Sequence, residues 1–115
     1  MLESVSTMTP SQYRIRQLAV ELQPPGSGKQ SVILLDDALT KVVLFAFAAG
    51  QGLTEHVAPF PAFLQIITGE AEMTVGQESA SGKSGTWIQM AAKTPHSIKA
   101  ETPVVTLLTL LKVQS

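Results

Sequence analysis

Short apolar segments separated by glycine and proline run through most of this chain and limit the folds open to it. Seven such segments recur at intervals of about ten residues and are rich in Val, Ile, Phe and Thr. They span residues 32–35, 41–48, 63–68, 70–75, 86–90, 96–100 and 104–113. None except the last is long enough for an ordinary helix, so the spacing predicts an all-β sandwich or barrel.

Alternation of apolar and polar residues supports the strand assignment. Within residues 96–100, Ser97 and Lys99 fall on one face, and His96, Ile98 and Ala100 fall on the other. Residues 70–75 alternate in the same way. The last segment, residues 104–113, also suits a helix by length, but the preceding proline and the Val and Thr content favour a strand.

The chain of 115 residues fits one domain. We expect a single barrel domain over residues 29–115. Residues 1–28 are expected to form an N-terminal segment, partly disordered, that contributes to a dimer. Within it, residues 11–20 suit a short helix or an edge strand, and the QPPGSG run at 23–28 indicates a loop. Turns are predicted at residues 76–77 and 81–85.

Composition excludes several functional classes. Net charge is −1 with no basic cluster, so nucleic-acid binding has no electrostatic support. No apolar run approaches the roughly 20 residues of a membrane helix, and the N-terminus does not resemble a secretory signal, so we expect a cytoplasmic protein without membrane contact. The absence of cysteine excludes thiolate catalysis and thiolate zinc sites.

Self-association is favoured by the balance of apolar and charged residues. Hydrophobic residues make up 44% of the chain and charged residues only 15%. A small barrel with so few charges has sheet edges that need covering, which predicts a homodimer. We expect residues 29–48 or the final strand at its interface.

The only two histidines of the chain, His56 and His96, both lie beside strands and among regularly spaced glycines. Gly50, His56 and Gly69 resemble the first sequence motif of the cupin family, and Gly85 and His96 resemble the ends of its second motif. The resemblance covers residues 40–112. The stretch also looks like a group of small single-domain bacterial cupins, and the resemblance implies an RmlC-like jelly-roll barrel, also called a double-stranded β-helix.

The same comparison shows departures from the family's metal motif. The second histidine and the glutamate of the first motif fall on Ala58 and Ala62. In the second motif, the proline falls on Ala91 and the inner glycine on Lys93. In the family, three histidines and a glutamate bind iron, manganese, nickel or zinc. The resemblance therefore implies a depleted metal site, with His56 and His96 as its remaining ligands.

Two imidazoles hold a divalent ion weakly, because catalytic zinc normally has three protein ligands and non-haem iron uses two histidines and a carboxylate. Glu55 adjoins His56, but neighbours on a strand point to opposite faces. Gln65 faces away from Ala62 unless a bulge reverses it. A divalent zinc, iron, manganese or nickel ion, held weakly, is the cofactor that this pair could bind.

Three functions follow from these residues. The first is a small-molecule-binding protein, whose pocket would be lined by His56, Ala58, Ala62, Gln65, His96 and Ile98. The second is a metal-dependent enzyme of the dioxygenase or isomerase type that uses His56 and His96. The third is an inert structural or partner-binding barrel, in which neutral histidines are simply hydrogen-bonded. The sequence leaves open whether the protein is an enzyme.

Overall fold

Nine strands and one short helix make up the fold in a computed structural model that describes residues 13–113. The expected disorder of residues 1–12 lies outside the described residues. The elements are α1 Leu18–Glu21, β1 Lys29–Asp36, β2 Thr40–Phe47, β3 Gly52–His56, β4 Ala62–Thr68, β5 Glu70–Val75, β6 Glu78–Lys83, β7 Trp87–Met90, β8 His96–Ala100 and β9 Val104–Leu111.

The strands form two antiparallel sheets packed face to face. One has five strands in the order β1-β2-β9-β4-β7, and the other has four in the order β3-β8-β5-β6. Consecutive strands repeatedly cross from one sheet to the other, as in a jelly roll. The predicted all-β jelly-roll class is confirmed, and the final segment is a strand.

The core lies between the two sheets. Its largest members are Phe47, Ile66, Met73 and Val104, each at most 1% exposed. They come from both sheets because alternate residues of each strand point inward. On β8, Ile98 and Ala100 are buried and Lys99 is exposed, which confirms the predicted alternation.

A second apolar cluster covers the outer face of the five-stranded sheet. Leu44, Ala46 and Val105 are fully buried there, beneath Leu18 and Leu22 of the N-terminal segment. A short helix or an edge strand was expected over residues 11–20. A single helical turn forms at residues 18–21, and residues 13–17 are in neither helix nor strand. The segment therefore acts as a cover for this sheet.

One turn prediction was wrong. Residues 81–83 belong to strand β6, which pairs with β5 along its whole length. The sequence Ser81-Gly82-Lys83 is typical of a turn, but Gly82 lies on a strand against the core. A Cβ there would approach Met73 Cε to 2.4 Å, so the methionine side chain would have to move. No helix among residues 13–113 is long and apolar enough to cross a membrane.

Candidate functional site

A β-bulge brings the two histidines together on one face. Along the β3–β8 ladder, Leu53 pairs with Ile98 and His56 pairs with His96, so β3 uses one more residue than β8. Leu53 and Ile98 both pack in the core. The extra residue reverses the alternation of β3 and thereby places His56 on the same inward face as His96.

The two imidazole rings are in contact at the end of the four-stranded sheet. Their centroids are 4.2 Å apart and their planes are inclined at 58°. His96 is 7% exposed, whereas His56 is exposed at the rim. The pair therefore forms a polar patch where the interior of the barrel meets solvent.

Each ring is oriented by the same type of hydrogen bond. His56 Nδ1 lies 2.9 Å from the Thr54 carbonyl oxygen, and His96 Nδ1 lies 2.9 Å from the Thr94 carbonyl oxygen. A carbonyl can only accept, so Nδ1 of each neutral ring carries the proton and donates. Each Nε2 is then left with its lone pair available.

The Nε2 atom of the buried ring has no hydrogen-bond partner among residues 13–113. His96 bonds through Nδ1 to the Thr94 carbonyl, and the ring as a whole is 7% exposed. Nε2 is therefore the ring nitrogen that the described residues leave for a ligand.

The loops beside the pair are tied to each other. The Lys93 amide donates to the Ala58 carbonyl at 2.7 Å, and the Thr94 amide and hydroxyl both bond to the Ala91 carbonyl. These contacts join the β3–β4 connection to the β7–β8 connection at one end of the barrel. They hold the Thr94 carbonyl in place, and with it the His96 ring.

The other predicted pocket residues lie in three different settings. Ala62 and Ile98 are 3% and 4% exposed and belong to the packed core. Gln65 is paired with Trp87 and Leu107 and lies on the outer face, opposite to Ala62 and Leu64. Ala58 contributes its carbonyl to the loop contact.

No third metal ligand accompanies the histidines in the described structure. Among residues 13–113 there is no group of three or more His, Cys, Asp or Glu side chains able to hold an ion. Glu55 lines an outer groove of about 530 Å³ together with Ser97 and Lys99. The residues present thus do not fit a catalytic metal centre with three protein ligands.

Sequence reasoning missed the β3 bulge, although it anticipated both histidines. A bulge adds one residue to a strand and requires no particular residue type. Thr54 and Glu55, which lie at this bulge, therefore give no sequence signal for it. Gly52 is the one local signal, because a Cβ there would lie 1.9 Å from the Ile98 carbonyl oxygen. It marks a close approach of β3 and β8 next to the bulge.

The fold is similar to that of many solved proteins. A conserved protein of unknown function from Streptococcus pyogenes is 24% identical, with a TM-score of 0.82 over 98% of this chain and 100% of its own. A cupin superfamily protein from Desulfitobacterium hafniense is 22% identical, with a TM-score of 0.79 over 87% and 92%.

A further match is an RmlC-like cupin from Desulfovibrio desulfuricans, at 21% identity and a TM-score of 0.78 over 88% of this chain and 98% of that one. At these identities the similarity concerns the fold. No family model matches the sequence, and no curated protein matches it.

Proposed function

We propose that this chain, which has the cupin fold, binds a small molecule at the rim of the barrel, with His56 and His96 as the polar contacts. The supporting observation is the pair of Nδ1–carbonyl hydrogen bonds on rings in contact, which leave Nε2 of each ring as an acceptor when the ring is neutral. Because these hydrogen bonds already fix the orientation of the two rings, the rings need little rearrangement when a ligand binds.

The ligand's chemistry follows from the hydrogen-bonding state of the rings. Two neutral imidazoles that donate through Nδ1 offer acceptors at Nε2, so the ligand must supply donors. The inner neighbours on β3 and β8 are the apolar Leu53 and Ile98. A compound with two adjacent hydroxyl groups on an apolar or aromatic body would satisfy both features.

A metal-dependent enzyme of the dioxygenase or isomerase type is the second candidate. It is favoured by the same observation, because metal-binding histidines commonly donate their other ring nitrogen to a carbonyl. It is opposed by the missing third ligand among residues 13–113. The homodimer, the cytoplasmic location and the absence of nucleic-acid and membrane partners remain predictions.

Catechol is a suitable probe of the binding proposal, and 1,2-dimethoxybenzene is its matched control because it has the same ring without the two donors. We expect the wild-type protein to bind catechol and to bind the control at least about tenfold more weakly, a difference of about 1.4 kcal/mol. Isothermal titration calorimetry of both compounds measures this difference.

Two variants test whether the histidines form the contact. His56→Ala removes an exposed ring, and His96→Phe keeps a ring in the buried position while removing both nitrogens. Each variant should lose the preference for catechol while it retains the far-UV circular dichroism of the wild type. Equal binding of catechol by wild type and both variants would contradict the proposal.

The metal alternative has its own measurement. Protein purified without a histidine tag and analysed for zinc, iron, manganese and nickel should contain less than roughly a tenth of an equivalent, because two imidazoles hold such ions weakly. Near-stoichiometric metal that is lost in both histidine variants would favour the enzyme. If the protein binds neither catechol nor metal, the inert structural or partner-binding barrel is the function that remains.

A further inference from the structure

The only two arginines of the chain and its only tyrosine line one apolar cavity. Tyr13, Arg14 and Arg16 belong to the segment before α1, and the cavity of about 410 Å³ lies between this segment and the five-stranded sheet. It is on the outer face of that sheet, whereas the histidine pair lies at the end of the four-stranded sheet. The two sites are therefore separate.

The sheet side of the cavity is apolar. Leu35 of β1 and Val42 of β2 are directly opposite each other in the ladder. Leu18 and Leu34 also line the cavity, and both pack on the buried cluster of the outer face. Small-molecule sites are typically clefts of about 300–1,000 Å³ with a mainly apolar lining and a few polar groups. This lining suits the apolar body of a small ligand.

The arginines add positive charge to this lining. Arg14, Arg16 and Leu18 are at alternate positions, which fall on one side of an extended chain. Ile15, between the arginines, is 81% exposed and does not line the cavity. Among residues 13–113 no carboxylate lines the cavity, although the whole chain has a net charge of −1. The lining is thus complementary to an anionic group.

Arg14 is held in place and keeps donors for a ligand. Its guanidinium donates to the Leu34 carbonyl at 2.8 Å, which uses only part of its N–H groups. Arg16 forms an ion pair with Glu21, whereas neither ion pair within the described part of the chain involves Arg14. A planar guanidinium can donate two parallel hydrogen bonds to one carboxylate. Arg14 is therefore the residue best placed to hold such a group.

We propose that this cavity binds a small monocarboxylate with an aromatic body. The carboxylate accepts hydrogen bonds from Arg14, and the body lies over Leu35 and Val42 beside the Tyr13 ring. A single negative charge fits better than two, because Glu21 already balances the charge of Arg16. This site goes beyond the proposed function of the histidine pair.

Two-ring 2-naphthoate is the probe, and isothermal titration calorimetry of the full chain at neutral pH is the measurement. We expect a dissociation constant below about 1 mM. 2-Naphthamide has the same shape without the charge, and acetate has the charge without the body. Each should bind at least about tenfold more weakly, because one loses the charge-assisted hydrogen bonds and the other loses the buried apolar area.

Variants of Arg14 test the anion contact. Arg14→Gln should weaken naphthoate binding at least about tenfold and leave naphthamide binding unchanged. Arg14→Lys keeps the charge without the planar fork and should lose less. Lys83→Gln is the control, because it removes one positive charge from β6 in the other sheet. It should bind naphthoate like the wild type, and far-UV circular dichroism should show that all three variants are folded.

Methyl NMR locates the bound probe. Naphthoate should shift the methyl signals of Leu35 and Val42 and leave the imidazole signals of His56 and His96 unchanged. The reverse pattern would overturn the proposal, as would equal binding of naphthoate and naphthamide or an Arg14→Gln variant that binds like the wild type. Naphthoate affinity that falls as the protein concentration rises would show that a second copy of the chain occupies the cavity instead. None of these outcomes depends on catechol binding, so the two sites are tested separately.

Discussion

Lys93 adopts a left-handed backbone conformation, with φ at 67°, and it is the one described non-glycine residue with positive φ. It occupies the position that the motif comparison assigns to the inner glycine of the second cupin motif. This chain therefore keeps the left-handed conformation that a glycine would favour at that position, although it has a lysine there. The shape is needed because the Lys93 amide bonds to the Ala58 carbonyl beside the histidine pair.

Replacing Lys93 with glycine should stabilise the protein. Left-handed geometry disfavours a side chain by about 1–2 kcal/mol, and glycine loses about 0.5–1 kcal/mol through its greater freedom when unfolded. The expected net gain in the free energy of unfolding lies between zero and about 1.5 kcal/mol, measured by urea denaturation. Lys93→Ala is the control and should give no gain. Destabilisation by Lys93→Gly would show that the lysine side chain itself holds this loop.

At the scale of elements, Gly52 sets the spacing between β3 and β8. A Cβ at this position would lie 1.9 Å from the Ile98 carbonyl oxygen, so Gly52→Ala must push the strands apart. We expect a loss of about 2–3 kcal/mol in the free energy of unfolding, with altered NMR signals from His56 and His96. Gly50→Ala is the control. A Cβ at position 50 would have no atom within 4 Å, and φ is 85° there, so this variant introduces backbone strain without a steric clash. It should leave the histidine signals unchanged.

The β1–β2 turn depends on an ionised carboxylate. Asp37 Oδ1 accepts hydrogen bonds from the Leu39 and Thr40 amides at 2.9 Å each, and these bonds hold the Asp37 pKa below its usual value. A lowered pKa means that the folded state favours the charged form. The contribution is therefore present at neutral pH and is lost as the pH falls through the folded-state pKa.

Asp37→Ala should accordingly lower the Tm at pH 7, and its difference from wild type should shrink between about pH 5 and pH 2. Asp37→Asn keeps an acceptor without the charge and should retain part of the stability at every pH. Differential scanning calorimetry across this range checks both variants. A wild-type advantage that is independent of pH would show that the charge has no role in the turn.

The strands differ in how far their own sequence predicts them. Strands with strong alternation, such as β5 and β8, were predictable because one face must be buried. Strand β6 was not, because ESASGK has little β-propensity and is a strand only through pairing with β5. The bulge in β3 could not be predicted for a similar reason: it depends on the register with β8, a contact between residues distant in sequence.

At the scale of the whole molecule, the core explains why the barrel is stable and why the candidate site lies at its rim. Phe47, Ile66 and Met73 fill the space between the sheets together with Ala62 and Ile98. Ala62, which the sequence predicted as a pocket residue, is 3% exposed and packed among these neighbours. The sequence predicted the two histidines as a pair. It could not predict how far a ligand can enter the barrel, because that depends on how the core side chains fill the space between the sheets.

Core truncation should affect stability much more than truncation at the rim. Met73→Ala removes a side chain that is 1% exposed and should lower the free energy of unfolding by about 2–5 kcal/mol. Val57→Ala, at a residue 55% exposed beside His56, should change it by less than about 0.5 kcal/mol. Chemical denaturation of both variants makes the comparison, and equal effects would mean that the core lies elsewhere.

His56 and His96 are proposed to present their Nε2 lone pairs jointly to a ligand. Long-range ¹H–¹⁵N correlation NMR of the imidazole nitrogens, recorded with and without catechol, measures this arrangement. Both neutral rings should carry the proton on Nδ1, and both Nε2 resonances should shift when catechol is added. A proton on Nε2 of either neutral ring, or Nε2 resonances that catechol leaves unchanged, would show that the pair does not bind a ligand in this way.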